Sequence, residues 1–180
     1  MGTEDGDLTY AYRPEKHICQ FCHGSCLEVQ FGGRVAEISS TSPFSAKMRL
    51  ENLYDAPLKS PKTKAAAAGA LTAVTGFLML TRKLCPCPTV NFEDCREELV
   101  QYLEGKTVYL IGGDIPKVKQ ALFQEEADIV VVTGDALLDD NQLAEIDEAV
   151  SLNKEILYIG PSWAGISALL GKKFWCPYGT

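Results

Sequence analysis

Two histidines and three cysteines lie close together near the N-terminus, in the order His17, Cys19, Cys22, His23 and Cys26. Thiolate and imidazole groups are the ligands that zinc and softer metals prefer, and cysteine thiolates also hold iron–sulfur clusters. The Cys-x2-Cys-x3-Cys spacing with its histidines therefore predicts a metal or cluster site in this segment. The candidates for a further ligand are the remaining cysteines, Cys85, Cys87, Cys95 and Cys176.

A plainer interpretation is that some of these cysteines pack into a strand core, with Cys22 and Cys26 the best candidates. The chain has seven cysteines, and in a reducing cytoplasm they serve packing, metal ligation or redox chemistry rather than disulfides. The stretch Cys85-Pro86-Cys87-Pro88 follows a predicted helix. Because proline cannot continue the helical hydrogen-bond ladder, this stretch is interpreted as a helix stop. The sequence leaves open whether its thiols join the N-terminal ones.

A second set of candidate residues follows three predicted strands, as Gly112-Gly113-Asp114, Thr133-Gly134-Asp135 and Gly160-Pro161-Ser162. Right-handed crossovers place the carboxyl ends of parallel strands on one edge of the sheet, where open α/β sheets bind ligands. Glycine at such an edge lets a ligand approach the backbone. The three loops are therefore predicted to line a small-ligand cleft, although small residues are also needed simply to turn a strand into a helix.

The residue types in these loops narrow the choice of ligand. The dinucleotide fingerprint Gly-x-Gly-x-x-Gly and the phosphate-loop sequence Gly-Lys-Ser/Thr are both absent, so neither NAD nor ATP is expected. Asp114 and Asp135 would attract a cation or a hydroxyl-bearing ligand instead. In an enzyme that acts on a small anionic metabolite, the same two carboxylates would be the acid/base groups.

The elements that position these loops form an α/β pattern in the second half of the chain. Continuous apolar runs predict parallel strands covered on both faces, and helical runs separate them. The predicted strands are residues 107–111, 128–132, 155–159 and a short one near 174–175, and the predicted helices are residues 116–124, 141–151 and a short run to 170. This pattern predicts a parallel α/β domain over residues 105–180.

Residues 1–104 are predicted to form a separate small α+β domain. Gly32-Gly33 separates two runs of β-forming residues, which is a strong hairpin signal. An additional strand is predicted over residues 8–12. Pro61 opens a long helix that is predicted to run to about Arg82, and Asn91 is predicted to cap a second helix over residues 92–103.

Composition and charge limit the partners of the chain. The net charge is −7, which disfavours nucleic acid because phosphate backbones repel an acidic protein. The N-terminal stretch from Met1 to Asp7 is acidic and has no apolar core, so no signal peptide is predicted. The apolar stretch from Ala65 to Leu80 is short for a membrane span. A cytoplasmic protein without a membrane partner is expected, and a homodimer formed through the hairpin edge is a further interpretation.

Several of these segments resemble the heavy-metal chelation family, which was long catalogued as a domain of unknown function. The resemblance depends on Ala127 to Gly134, Leu143, Ile146 and Ile159 to Ser162, since members of this family have strands that end in Thr-Gly and in Gly-Pro-Ser. The alanine-rich helix over residues 64–78 resembles the long helix of the family's N-terminal domain, which is similar to the N-terminal domain of enolase. The resemblance covers about three quarters of the chain.

The resemblance implies an enolase N-terminal-like domain followed by a Rossmann-like domain. It implies a role in binding a metal or a metal-containing compound, with links to anaerobic cobalamin synthesis or metal uptake. The cleft-forming residues that it carries over are Thr133, Gly134, Gly160, Pro161 and Ser162. The expected function is therefore metal or metal-chelate handling in the cleft between the two domains. The alternatives are an enzyme that acts on a small anionic metabolite and a cysteine-ligated iron–sulfur or zinc protein.

Overall fold

The chain has a mixed α/β fold in which helices pack with one antiparallel and one parallel sheet. A computed structural model describes residues 6–180. The N-terminal stretch that supports the expectation about a signal peptide lies mostly in residues 1–5, outside the described residues. In chain order, the antiparallel strands are β1 (Asp7–Arg13), β2 (Ser25–Phe31), β3 (Arg34–Ser40) and β4 (Ala46–Arg49).

The antiparallel sheet has the order β3-β2-β1-β4. The hairpin predicted at Gly32-Gly33 is confirmed, because Phe31 pairs with Arg34 and both glycines have positive φ angles. Two successive left-handed residues match the right-handed twist of the flanking strands. The strand predicted at residues 8–12 is confirmed as part of β1.

The parallel sheet consists of β5 (Thr107–Ile111), β6 (Lys119–Gln120), β7 (Ile129–Val132), β8 (Ile156–Ile159) and β9 (Phe174–Trp175). Its order is β6-β5-β7-β8-β9. The chain leaves β5 towards one side for β6 and then crosses to the other side for β7. The carboxyl ends of β5 and β7 therefore form a topological switch point, which is where open α/β sheets hold ligands.

Four helices accompany the sheets: α1 (Pro61–Phe77), α2 (Phe92–Tyr102), α3 (Asp140–Ser151) and α4 (Ala164–Leu170). The predicted start of α1 is confirmed, and Ser60 and Thr63 form a reciprocal capping box there. The prediction that α1 reaches Arg82 is wrong. Met79 has a left-handed φ of 59° and the N–H of Leu80 returns to the carbonyl of Thr75, which closes the helix early.

The helix predicted over residues 116–124 is wrong. Ile115 is buried, Lys117 turns the chain with a φ of 65°, and the short strand β6 then pairs with β5. The helix predicted over residues 92–103 is confirmed as α2, and Asn91 lies at its N-cap position, but the Asn91 side chain makes no capping hydrogen bond. Instead, a 3₁₀ turn over Thr89–Asn91 leads into that helix.

The two sheets share hydrophobic packing around α1. One cluster of buried side chains includes Ile38 of β3, Ala66 of α1 and Val132 of β7. Glycines bring the elements close: a Cβ on Gly69 would lie 2.5 Å from Val29, and one on Gly165 would lie 2.7 Å from the backbone of Thr72. The opposite face of the parallel sheet packs in a second cluster, which contains side chains of α2. The domain boundary at 104/105 stays a prediction.

Within residues 6–180, no helix combines the length and the apolar composition that crossing a lipid bilayer requires.

Candidate functional site

The three strand-end loops predicted from the sequence meet at one edge of the parallel sheet. Gly113 donates its backbone N–H to the Thr133 hydroxyl at 2.6 Å, which joins the first loop to the second. The indole of Trp163 donates to the Thr133 carbonyl at 2.7 Å. The Ser162 hydroxyl accepts a 3.2 Å hydrogen bond from the backbone N–H of Ser39, so this edge is also bonded to β3.

The loop between β1 and β2, residues 14–24, packs directly against this edge. A Cβ built on Gly113 would lie 2.0 Å from the carbonyl oxygen of Phe21. A Cβ on Gly134 would lie 3.0 Å from the sulfur of Cys22, and one on Gly160 would lie 3.2 Å from the sulfur of Cys19. Glycine at all three strand ends therefore makes room for the cysteine loop of this same chain.

The loop leaves an open groove of about 250 Å³ beside the switch point. His23 and Asp135 both line it, and Asp135 accepts hydrogen bonds from the backbone N–H of His23 at 2.9 Å and from its Nδ1 at 2.8 Å. The His23 side chain is 70% exposed. Asp114, in contrast, is exposed and does not line the groove. Of the two predicted acid/base carboxylates, only Asp135 is therefore paired with a second titratable group there.

Cys19 and Cys22 form a hydrogen-bonded thiol pair within the loop. The backbone N–H of Cys22 donates to the carbonyl of Cys19 at 3.0 Å, which closes a tight turn. The hydrogen bond between the two thiols and burial raise the pKa of Cys19 well above its usual value. The hydrogen bond from Cys19 is the main cause that lowers the pKa of Cys22. The hydroxyl of Ser39 and the backbone N–H of Gly134 also lower it, while partial burial opposes the shift.

Four cysteines from separate parts of the chain line one small cavity beside this pair. They are Cys19 in the loop, Cys87 after α1, Cys95 in α2 and Cys176 after β9. The cavity measures about 10 Å³, which is close to the space that one water molecule needs. Its other lining residues are Gln20, Phe21, Pro86, Ile159, Gly160, Pro161, Trp175 and Tyr178.

The thiols of this cavity are held in the neutral form by burial. Cys87 and Cys95 are hydrogen-bonded to each other, and burial is the main cause that raises the pKa of Cys87 and brings the pKa of Cys95 to about 11. Burial likewise raises the pKa of Cys176 to about 12, with smaller contributions from Cys87 and Cys95. Any ion that binds these sulfurs must therefore displace their protons.

The other residues of the predicted metal segment do not line the cavity. Cys26 is fully buried on β2, and burial raises its pKa to about 12, with a smaller contribution from the nearby Glu37. His17 makes a 2.9 Å hydrogen bond through Nε2 to the Cys87 carbonyl. His23 is bonded to Asp135, as described above. The predicted ligands Cys19, Cys22, Cys26, His17 and His23 thus have different surroundings.

The cavity brings together Cys19 of the N-terminal segment and Cys87 of the Cys-Pro-Cys-Pro stretch, a pairing that the sequence left open. Within residues 6–180, no three or more histidine, cysteine, aspartate or glutamate side chains are placed so that they could hold a metal ion without moving. Four of the residues that line the cavity are cysteines, and thiolates suit a soft metal once their side chains approach one another.

Comparison of the chain with protein-family models, with curated proteins and with solved structures found no match.

Proposed function

We propose that this chain binds one soft metal ion, of which zinc is the reference case, through Cys19, Cys87, Cys95 and Cys176. The observation that supports the proposal is the convergence of these four thiols, which come from distant parts of the sequence, on a single apolar cavity. Four thiolates are a common ligand set of structural zinc sites. Thiolate sites also suit other soft ions, so the proposal concerns metal handling rather than zinc alone.

The size of the cavity favours one ion over a cluster. A space of about 10 Å³ accepts a particle the size of a water molecule, whereas an iron–sulfur cluster would require the surrounding side chains to move apart. The ammonium group of Lys83 lies on the Cys176 side of the site and donates to the carbonyls of Pro177 and Gly179 at 2.9 and 2.8 Å. This charge partly offsets the negative charge of thiolates.

The proposed role agrees with the metal or metal-chelate handling that the sequence resemblance implies. Several expectations from the sequence stay predictions under this proposal. They are the enolase N-terminal-like and Rossmann-like identities of the two halves, the link to anaerobic cobalamin or metal metabolism, a cytoplasmic location and a homodimer. The structure shows a mixed α/β fold with one antiparallel and one parallel sheet, and the family resemblance itself stays a prediction.

Metal analysis of protein purified without oxygen tests the proposal. We expect one zinc ion per chain after titration, a rise in melting temperature, and proton release on binding because the thiols of the apo protein are protonated. Cys87→Ser and Cys176→Ser should each weaken zinc binding by about tenfold or more.

Matched control variants come from the cysteines that do not line the cavity. Cys26→Ser and Cys85→Ser also remove a thiol, but these residues lie outside the cavity, so zinc affinity should be unchanged. Binding of no zinc by the wild-type protein would contradict the proposal. Equal loss of affinity in all four variants would also contradict it.

We also propose a second candidate function, an enzyme that acts on a small anionic metabolite in the open groove. The supporting observation is the pairing of His23 Nδ1 with Asp135, which fixes the ring and leaves Nε2 available as a general base. Stabilisation of the chelator-treated protein by an anionic metabolite in a thermal-shift panel, lost in His23→Gln, would support this function. Stabilisation of both proteins equally would place the ligand elsewhere.

A further inference from the structure

We infer that Cys19 and Cys22 form a reversible intramolecular disulfide, and that Cys22 is the sulfur that first reacts with a small-molecule disulfide. This redox activity goes beyond the proposed metal site and shares only Cys19 with it. The inference concerns the metal-free protein, so it can succeed or fail independently of zinc binding.

The geometry of the turn brings Cys19 and Cys22 into the range of separations that a disulfide spans. The N–H of Cys22 donates to the carbonyl of Cys19 at 3.0 Å, as in a β-turn, whose end Cα atoms lie within about 7 Å of each other. Disulfides bridge Cα atoms about 4.4–6.8 Å apart. The two thiols also interact with each other through a hydrogen bond, so their sulfurs lie close together.

The two cysteines differ in access to solvent, which sets the order of reaction. Cys19 is buried, and its sulfur faces Gly160 at the end of β8. Cys22 is partly exposed and next to the solvated His23.

The reaction is a thiol–disulfide exchange that needs one small disulfide, such as oxidised glutathione. The Cys22 thiol loses its proton to solvent, its sulfur attacks the small disulfide, and one small thiolate leaves. The Cys19 sulfur, after losing its proton, then attacks the Cys22 sulfur and expels the second small thiolate. The two cysteines are oxidised to one disulfide, and the small disulfide is reduced to two thiols.

Cys87 and Cys95 provide an internal comparison. Their thiols are also hydrogen-bonded to each other, but they are only 5% and 6% exposed. A small disulfide cannot approach either sulfur without opening of the structure. In the native protein this second pair should therefore stay reduced under conditions that oxidise the first.

Mass spectrometry of the chelator-treated protein after exposure to oxidised glutathione tests the inference. The tryptic peptide over residues 17–34 contains three cysteines, and in the wild-type protein it should lose two hydrogens, with fragmentation assigning the bond to Cys19 and Cys22. Reduced glutathione should reverse the change. Cys26→Ser should still form the bond, since that thiol lies elsewhere on β2.

Single-cysteine variants then identify the attacking sulfur. Cys19→Ser should accumulate a glutathione adduct on Cys22 at least about tenfold faster than Cys22→Ser accumulates one on Cys19. Circular dichroism measures whether each variant is folded. If either variant is unfolded, alkylation rates of the two residues in the folded wild-type protein give the same ranking. Absence of the Cys19–Cys22 bond, adducts that form equally fast, or alkylation of Cys19 before Cys22 would overturn the inference.

Discussion

At the scale of single residues, three glycines at the ends of β5, β7 and β8 allow the cysteine loop to pack closely against the parallel sheet. Each of Gly113, Gly134 and Gly160 lies so close to the loop that a Cβ would approach it within 3.2 Å. The sequence suggested that these glycines admit a ligand. Their observed neighbours are Phe21, Cys22 and Cys19 of the same chain, so the ligand chemistry of this edge depends on the loop.

Gly113→Ala should destabilise the protein by about 3 kcal/mol or more, because the new Cβ would meet the Phe21 carbonyl at 2.0 Å and backbone cannot rotate away as a side chain can. Urea unfolding measures this loss. The comparison variant is Gly33→Ala, which has nothing within 4 Å of the new Cβ and a φ of +77°. It should lose only about 1–2 kcal/mol, from backbone strain. Equal losses would show that the contact with the loop has no energetic effect.

At the scale of elements, several hydrogen bonds and ion pairs fix the cysteine loop between the antiparallel sheet and the segment from Cys87 to Phe92. On one side, Lys16 forms an ion pair with Glu28 of β2 at 2.6 Å and another with Glu37 of β3. On the other side, His17 bonds the Cys87 carbonyl at 2.9 Å and Gln20 donates to the Phe92 carbonyl at 2.7 Å. These contacts therefore fix the loop on both sides of Cys19.

The ion pairs of Glu28 should make stability depend on pH. Burial raises the pKa of Glu28, but hydrogen bonds from Lys16 and Arg13 outweigh it, so the pKa lies below its ordinary value of 4.5. Because the folded pKa is depressed, the contribution of Glu28 is present above pH 4.5 and is lost as the pH falls through the folded value. Urea unfolding of the wild-type protein and of Glu28→Gln between pH 7 and pH 3 measures this dependence.

At pH 7, Glu28→Gln should be less stable than wild type by about 1–3 kcal/mol, because Lys16 and Arg13 lose a buried charged acceptor. The gap should narrow as the pH falls through the depressed pKa of Glu28, because the wild-type carboxyl then also becomes neutral. Glu51→Gln is the control, since that carboxylate is 63% exposed, and its gap should stay near zero. A gap for Glu28→Gln that is independent of pH would exclude the depressed pKa.

Local sequence signals predicted the elements of this fold better than the site. The β-branched run before Thr133 and the pair Gly32-Gly33 predict β7 and the hairpin, because strand and turn preferences act over a few residues. The helix predicted at residues 116–124 failed because the burial of Ile115, a tertiary effect, overrides local propensity. The convergence of Cys19 with Cys176 could not be predicted, because it depends on how segments far apart in the sequence pack together.

At the scale of the whole molecule, the two halves share one hydrophobic cluster. Leu27, Val29 and Ile38 of the antiparallel sheet belong to the same cluster as Val132 and Trp163 of the second half. The capped helix α1 lies between them, and its many small residues allow the close approaches at Gly69 and Gly165. The cysteines that line the cavity come from both halves of the chain. Metal binding should therefore stabilise the contact between the two halves.

Ile38→Ala tests whether the halves unfold together. The side chain is 1% exposed, so its loss should cost about 2–5 kcal/mol. Both tryptophans lie beyond residue 105, so their fluorescence reports only on the second half. If the shared cluster makes unfolding cooperative, this fluorescence transition should shift to lower urea together with the circular dichroism transition. The control is Val90→Ala, whose side chain is 81% exposed and should shift neither. A fluorescence midpoint that Ile38→Ala leaves unchanged would show two independently folding halves.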